Sequence, residues 1–156
     1  MKSLLGALAL TTALTLPGLA EARAVTLSAQ MKDYGGNPAF LAVYLTDAKG
    51  AYAGTLWMAG GRVRYFEHLS GWLAASGGDM SQVDGITGAS VGSGRAIEVT
   101  VNVADALLDA GYVLHVDAAA EDLRASPNDV QVPLTTAGSG AAVKGRRYIA
   151  SFDYKL

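Results

Sequence analysis

The chain has 156 residues, with 12 basic against 14 acidic side chains, a net charge of −2 and no cysteine. That balance offers no basic stripe for a nucleic-acid backbone. The missing thiols exclude disulfides, thiolate metal sites, iron–sulfur clusters and a cysteine nucleophile.

The first residues carry an export signal. Lys2 supplies a positive start, residues 4–16 are an uncharged apolar run, and Pro17-Gly18 breaks it. Ala22-Arg23-Ala24 then offers small residues around a cleavage point. The pattern predicts a secretory signal peptide over 1–24, cut after Ala24. The apolar run is shorter than the roughly 20 residues a membrane-spanning helix needs. An exported chain without cysteine fits a bacterial periplasm, so the predicted location is periplasmic and the protein is not expected to be an integral membrane protein. The remaining residues, 25–156, suit one domain.

Period-two alternation dominates that domain. Val25, Leu27, Ala29 and Met31 occupy the odd positions of a first strand. Residues 39–46 are almost wholly apolar, as in a strand covered on both faces. Asp47-Ala48-Lys49-Gly50 reads as a hairpin turn, with 52–58 returning. Strands follow at 96–103, 112–117, 130–132 and 148–154. Seven short strands predict a mainly β fold, an antiparallel β-sandwich of immunoglobulin or fibronectin-like type.

One segment breaks the rhythm. Tyr65, Phe66, Leu69, Trp72 and Leu73 recur at the spacing of one helix face, predicting a helix over 64–76 that Gly77-Gly78 ends. A second helical turn is expected within 102–110, and a loop over the Gly-, Ala- and Ser-rich residues 135–145. The helix and the glycine-rich stretch after it form one insertion, 60–94, on the sandwich. Insertions of that length are where function concentrates.

The stretch "VDGITGASVGSG", 83–94, carries the candidate chemistry. Gly88-Ala89-Ser90-Val91-Gly92 matches Gly-x-Ser-x-Gly, but a nucleophile elbow needs a strand before the serine and a helix after it. Here the preceding residues are polar and a strand follows. A phosphate loop is disfavoured because no Lys-Ser/Thr follows the last glycine. His68 and His115 are far apart in the chain and belong to no tight ligand cluster, so no metal site is expected.

Asp84-Gly85-Ile86-Thr87-Gly88-Ala89-Ser90 resembles the flavinylation motif Asp-x-x-Ser/Thr-Gly-Ala-Thr/Ser of extracytoplasmic flavin-carrying domains. There a flavin transferase moves FMN from FAD onto the last hydroxyl. The resemblance implies Ser90 as the acceptor, with Asp84, Thr87, Gly88 and Ala89 forming the recognition loop. Glycine and alanine leave the hydroxyl unhindered. The acceptor is Ser where Thr is commoner, and Gly92 stands where a further Ser or Thr often follows. Trp72 and His68 are candidates to pack on the isoalloxazine ring. A plain glycine-rich turn organised by Asp84 accounts for the same residues.

Over nearly its whole exported length the chain is similar to the bacterial predicted periplasmic proteins of domain-of-unknown-function family 2271. The resemblance is carried by "YLTDAKGAYAGTLW" from Tyr44, "HLSGWLAAS" from His68, "VDGITGAS", "GYVLHVDAAAED" from Gly111 and the closing "RRYIASFDY". It implies a periplasmic β-sandwich whose loop holds covalent flavin and which exchanges electrons with a membrane redox protein. The protein would then be an electron carrier or accessory rather than a turnover enzyme. The rival reading is a cofactor-free binding module, with Tyr44, Tyr52, Trp57 and Tyr65 lining its face.

Overall fold

The computed structural model describes residues 21–156, and the expected signal peptide lies outside the described residues except for its last four. Strand β1, Ala22–Met31, is the middle of a three-stranded antiparallel sheet, between β5 (Ala96–Ala104) and β8 (Ile149–Lys155). Its alternation sends Val25, Leu27, Ala29 and Met31 inward. The strand begins inside the expected signal: Ala22, Arg23 and Ala24 pair with Ala104, Val103 and Asn102. Arg23 also donates to Asp105 at 2.6 Å. A cut after Ala24 would leave that end of β5 without partners.

The second sheet runs β4 (Thr87–Gly88), β3 (Tyr52–Ala59), β2 (Phe40–Thr46), β6 (Val113–Ala119) and β7 (Ser126–Pro133). Its centre, β2 (Phe40–Thr46), is buried at every residue. Leu41, Val43 and Leu45 join the core between the sheets, while Phe40, Ala42 and Tyr44 face a second core under the insertion. Coverage on both faces is why this strand is nearly all apolar. The hairpin from β2 to β3 (Tyr52–Ala59) turns as expected. Asp47 Oδ1 accepts from the Lys49 and Ala51 amides at 2.8 and 2.9 Å, and Gly50 takes φ +83°.

The sandwich expected from the alternation is present, with departures. Among the described residues there is an eighth strand, β4 (Thr87–Gly88), which lies parallel to β3, the exception there in otherwise antiparallel pairing. The expected helix over 64–76 is split into a 3-10 helix, Val63–His68, and α1, Ser70–Ser76. Leu69 breaks it with ψ 68°, yet remains buried beside Phe66 and Trp72. The apolar spacing is kept because all three side chains pack on the sheet. The second helical turn shrinks to Asp105–Leu107, since β5 continues as strand through Ala104.

Strand β7, Ser126–Pro133, is much longer than the expected 130–132. Pro127, Asn128 and Asp129 resemble a turn in sequence, but here they form an irregularity inside the strand. Asn128 sits at φ +50°, and the register against β6 (Val113–Ala119) shifts between Val116 and Ala118.

That irregularity serves Asp117. Its carboxylate is fully buried and accepts the Asn128 amide at 2.8 Å, the Trp72 amide at 2.6 Å and the Tyr44 hydroxyl at 3.4 Å. Helix α1 has no side-chain cap from its own N-cap residue. Asp117, on a strand 45 residues away, takes the free amide of the first turn instead. Gly71 makes the approach possible, because a Cβ there would lie 2.7 Å from Asp117 Oδ2.

Removing this carboxylate should leave two amides and a hydroxyl buried without partners. Asp117→Ala is expected to cost about 3 kcal/mol or more, and Asp117→Asn about half as much, in urea unfolding. Gly71→Ala should destabilise through the same contact, and wild-type stability in that variant would show that α1 is not held by Asp117.

Candidate functional site

The loop at 84–90 is positioned from both ends. Before it, Asp79 caps the 3-10 helix Met80–Val83, accepting from the Ser81 hydroxyl at 2.6 Å and its amide at 3.0 Å. The Ser81 hydroxyl bond and then its amide bond hold the Asp79 carboxyl below the usual range. Val83 is buried and anchors the start of the loop. The chain then runs along the edge of β3, where the Met58 amide donates to Ile86 O at 2.9 Å and the Gly60 amide to Gly88 O at 2.8 Å. Beyond the loop, Val91 forms an antiparallel bridge with Ala39, with bonds of 2.7 and 2.9 Å.

Between these anchors the backbone leaves the sheet edge for only two residues. Ala89 is exposed and Ser90 half-buried. Gly88 lies directly against the indole of Trp57, where a Cβ would overlap the ring. The loop glycine is therefore required by close approach to an aromatic ring, a reason the sequence did not disclose.

Ser90 lines a shallow depression of about 280 Å³ with Ala89, Val91, Gly92, Arg95, Ala96 and Ile97. Its neighbour Ser93 is tied down, donating to Asp33 and accepting from the Gly35 amide at 3.0 and 3.1 Å. No such bond holds the Ser90 hydroxyl among the described residues. A second cleft, about 320 Å³, opens between the edges of β3 and β5, lined by Thr55, Leu56, Trp57, Gly85, Ile86, Thr100, Val101 and Asn102. Trp57 forms part of its wall, and its Nε1 is buried without a hydrogen-bond partner.

The sequence profile of a family described as "Predicted periplasmic protein (DUF2271)" matches residues 22–151. The chain belongs to this family. The match starts where β1 starts and ends inside β8, so it covers both sheets and the insertion. Neither the curated proteins nor the solved structures hold a match to it. Among the described residues no helix is long and apolar enough to cross a membrane.

The fold of this DUF2271 member brings together only part of the expected site. Asp84 and Thr87 are exposed on the loop with Ala89, while Gly88 is turned to Trp57. Trp72 is fully buried, with Phe66 edge-on at 6.1 Å and its Nε1 donating to Thr55 at 2.8 Å. A ring enclosed in that way has no open face for a flat ligand, so Trp72 is a core residue. His68 is exposed at the end of its 3-10 helix. The aromatic residue beside the loop is Trp57. Its signal in the sequence was an aromatic residue on a strand ending opposite the Gly-rich stretch.

The serine elbow finds no support in the geometry. A two-residue strand precedes Ser90 and no helix follows it; the next element is β5. His115 is occupied on both ring nitrogens, Nε2 with Thr46 at 2.8 Å and Nδ1 with Asn128 at 2.7 Å. Nor do the four aromatic residues of the binding-module reading form one face. Tyr44 is buried, stacked on His115 at 4.9 Å. Tyr52 and Tyr65 pack with Tyr44 on the core under the insertion, Tyr65 stacked on Phe40 at 4.5 Å, whereas Trp57 packs against the opposite core.

Sequence reasoning missed the buried polar row of Tyr44, Thr46, His115 and Asp117, completed by the half-buried Asn128. The available signal was His115 and Asp117 at alternate positions of an otherwise apolar strand. Burial, with the nearby Asp117 charge acting in the same direction, pushes the Tyr44 hydroxyl well above its ordinary value. A raised folded-state value means that stability is complete below the unfolded tyrosine value of 10.0 and is lost as pH rises through the folded one. The urea midpoint should therefore fall above about pH 10, and less steeply in Tyr44→Phe.

Gly88→Ala should force the Trp57 indole out of place. A loss of roughly 1–3 kcal/mol is expected for such overpacking, together with a shifted tryptophan emission. Unchanged emission and stability would show that Gly88 and Trp57 are not in contact.

Proposed function

We propose that the protein is an exported electron carrier holding FMN covalently on Ser90 through a phosphoester. The observation that supports this reading is the placement of the Ser90 hydroxyl. It is partly exposed, free of internal hydrogen bonds among the described residues, and set just past a pinned strand at the edge of the sheet. An acceptor hydroxyl must enter a transferase active site, and a short, slim, anchored loop presents it without unfolding the domain. In the transfer the Ser90 oxygen bonds to the FMN phosphorus. The bond between the two phosphates of FAD breaks, AMP leaves, and the serine proton is taken up by the transferase or solvent.

The surrounding residues fit the group. Arg95 shares the depression with Ser90 and can offset the remaining phosphate charge. The cleft beside Trp57 offers an apolar wall for a flat ring. The flavin supplies reversible electron transfer, and the protein holds and orients it. The partners that follow are a flavin transferase and a membrane redox protein.

Exported with a flavin transferase, the protein should gain the mass of FMN less one water, and the addition should survive denaturation. Ser90→Ala should abolish it and Ser90→Thr preserve it. An unmodified mass, with a control acceptor flavinylated in the same cells, would refute the reading. Capture of a fluorophosphonate at Ser90 would replace it with hydrolysis.

A further inference from the structure

Away from the loop, three arginines converge on one cavity. Arg124, Arg146 and Arg147 line a pocket of about 410 Å³ with Ala125, Ser126 and Pro127. All three arginines are exposed, and none forms an ion pair among the described residues, where Arg23–Asp105 is the one salt bridge. On a chain of net charge −2, such a grouping of guanidinia is not a product of composition.

The backbone beneath them is fixed. The buried carboxylate of Asp129 accepts three successive amides, those of Arg147 at 2.6 Å, Tyr148 at 3.1 Å and Ile149 at 2.9 Å. The Arg146 amide donates to Asp129 O at 2.9 Å. The Tyr148 hydroxyl donates to Arg124 O at 2.7 Å, tying the two arginine-bearing segments together. From β1's end, Lys32 Nζ donates to Arg146 O at 3.1 Å and Gly145 O at 3.4 Å. The acidic side chains nearest in sequence, Glu121 and Asp122, do not line the pocket, and Asp129 is enclosed behind it.

From this arrangement we propose a binding site for a small phosphate-bearing anion of at least two negative charges. Guanidinium forks match phosphate oxygens two at a time. Three of them, on two segments tied together by the Tyr148 hydroxyl, favour a multivalent ligand, and the cavity is the size of a small molecule. The site lies on elements separate from the Ser90 loop and does not depend on the flavin reading.

Calorimetric titration of the exported protein with inorganic pyrophosphate tests it, with citrate as the carboxylate comparison. Saturable one-to-one binding of pyrophosphate, tighter than citrate, is expected. Arg124→Ala, Arg146→Ala and Arg147→Ala should each weaken it about tenfold or more. Arg147→Lys, which keeps the charge and loses the fork, should also weaken it, whereas Arg62→Ala, a charge elsewhere on the surface, should not. These side chains are exposed, so unchanged thermal midpoints are expected to accompany the losses. Absence of saturable binding would overturn the proposal. So would full affinity in Arg147→Lys, equal loss in Arg62→Ala, or citrate binding as tightly as pyrophosphate.

Discussion

A single buried carboxylate organises the outer face of the larger sheet. Asp117 stands in the middle of β6, inside the protein, and a charge there requires polar partners. It obtains them from three directions: the first turn of α1, the irregular part of β7, and Tyr44 on β2. The helix could not be capped from within its own sequence, and β7 could not run straight past without leaving the carboxylate short of a donor. One buried carboxyl group thus sets where the insertion lands and how the neighbouring strand bends.

That placement creates two separate cores. The first fills the space between the sheets, drawn from β1, β2, β6 and β8. The second lies between the larger sheet and the insertion, with Trp72 and Phe66 at its centre. Because the second core fixes the insertion, the chain that leaves it arrives at the β3 edge in a defined position. There β4 pairs for two residues, and the next residues are released at the surface. The candidate acceptor hydroxyl owes its exposure to anchoring on both sides, since a longer free loop would present the same serine with far less order.

Asp129 repeats the same physics on the opposite edge. Its carboxylate gathers successive amides of the turn before β8 and so holds Arg146 and Arg147 outward. Buried acids in this protein act as backbone organisers, and the groups available for chemistry or binding are on the segments they organise. Asp129 did not stand out in sequence, because an aspartate after Pro127-Asn128 resembles one at a turn.

The sequence by itself determined the alternating strands, the doubly covered β2, the Asp47 turn and the family to which the chain belongs. All of these depend on local periodicity or on short order-preserving motifs. The apolar spacing of Phe66, Leu69 and Trp72 was also legible, since it reports a buried face whether or not the helix is continuous. Tertiary structure alone decided the break at Leu69, the extra parallel strand at Thr87–Gly88 and the length of β7. It also assigned Trp57 rather than Trp72 to the side of the loop. Each of these depends on a partner far along the chain: Asp117 for the helix start, the β3 edge for β4, and Val116 and Ala118 for the shifted register. Local pattern cannot carry that information, because the free energy deciding it is that of satisfying buried polar groups across long sequence separations.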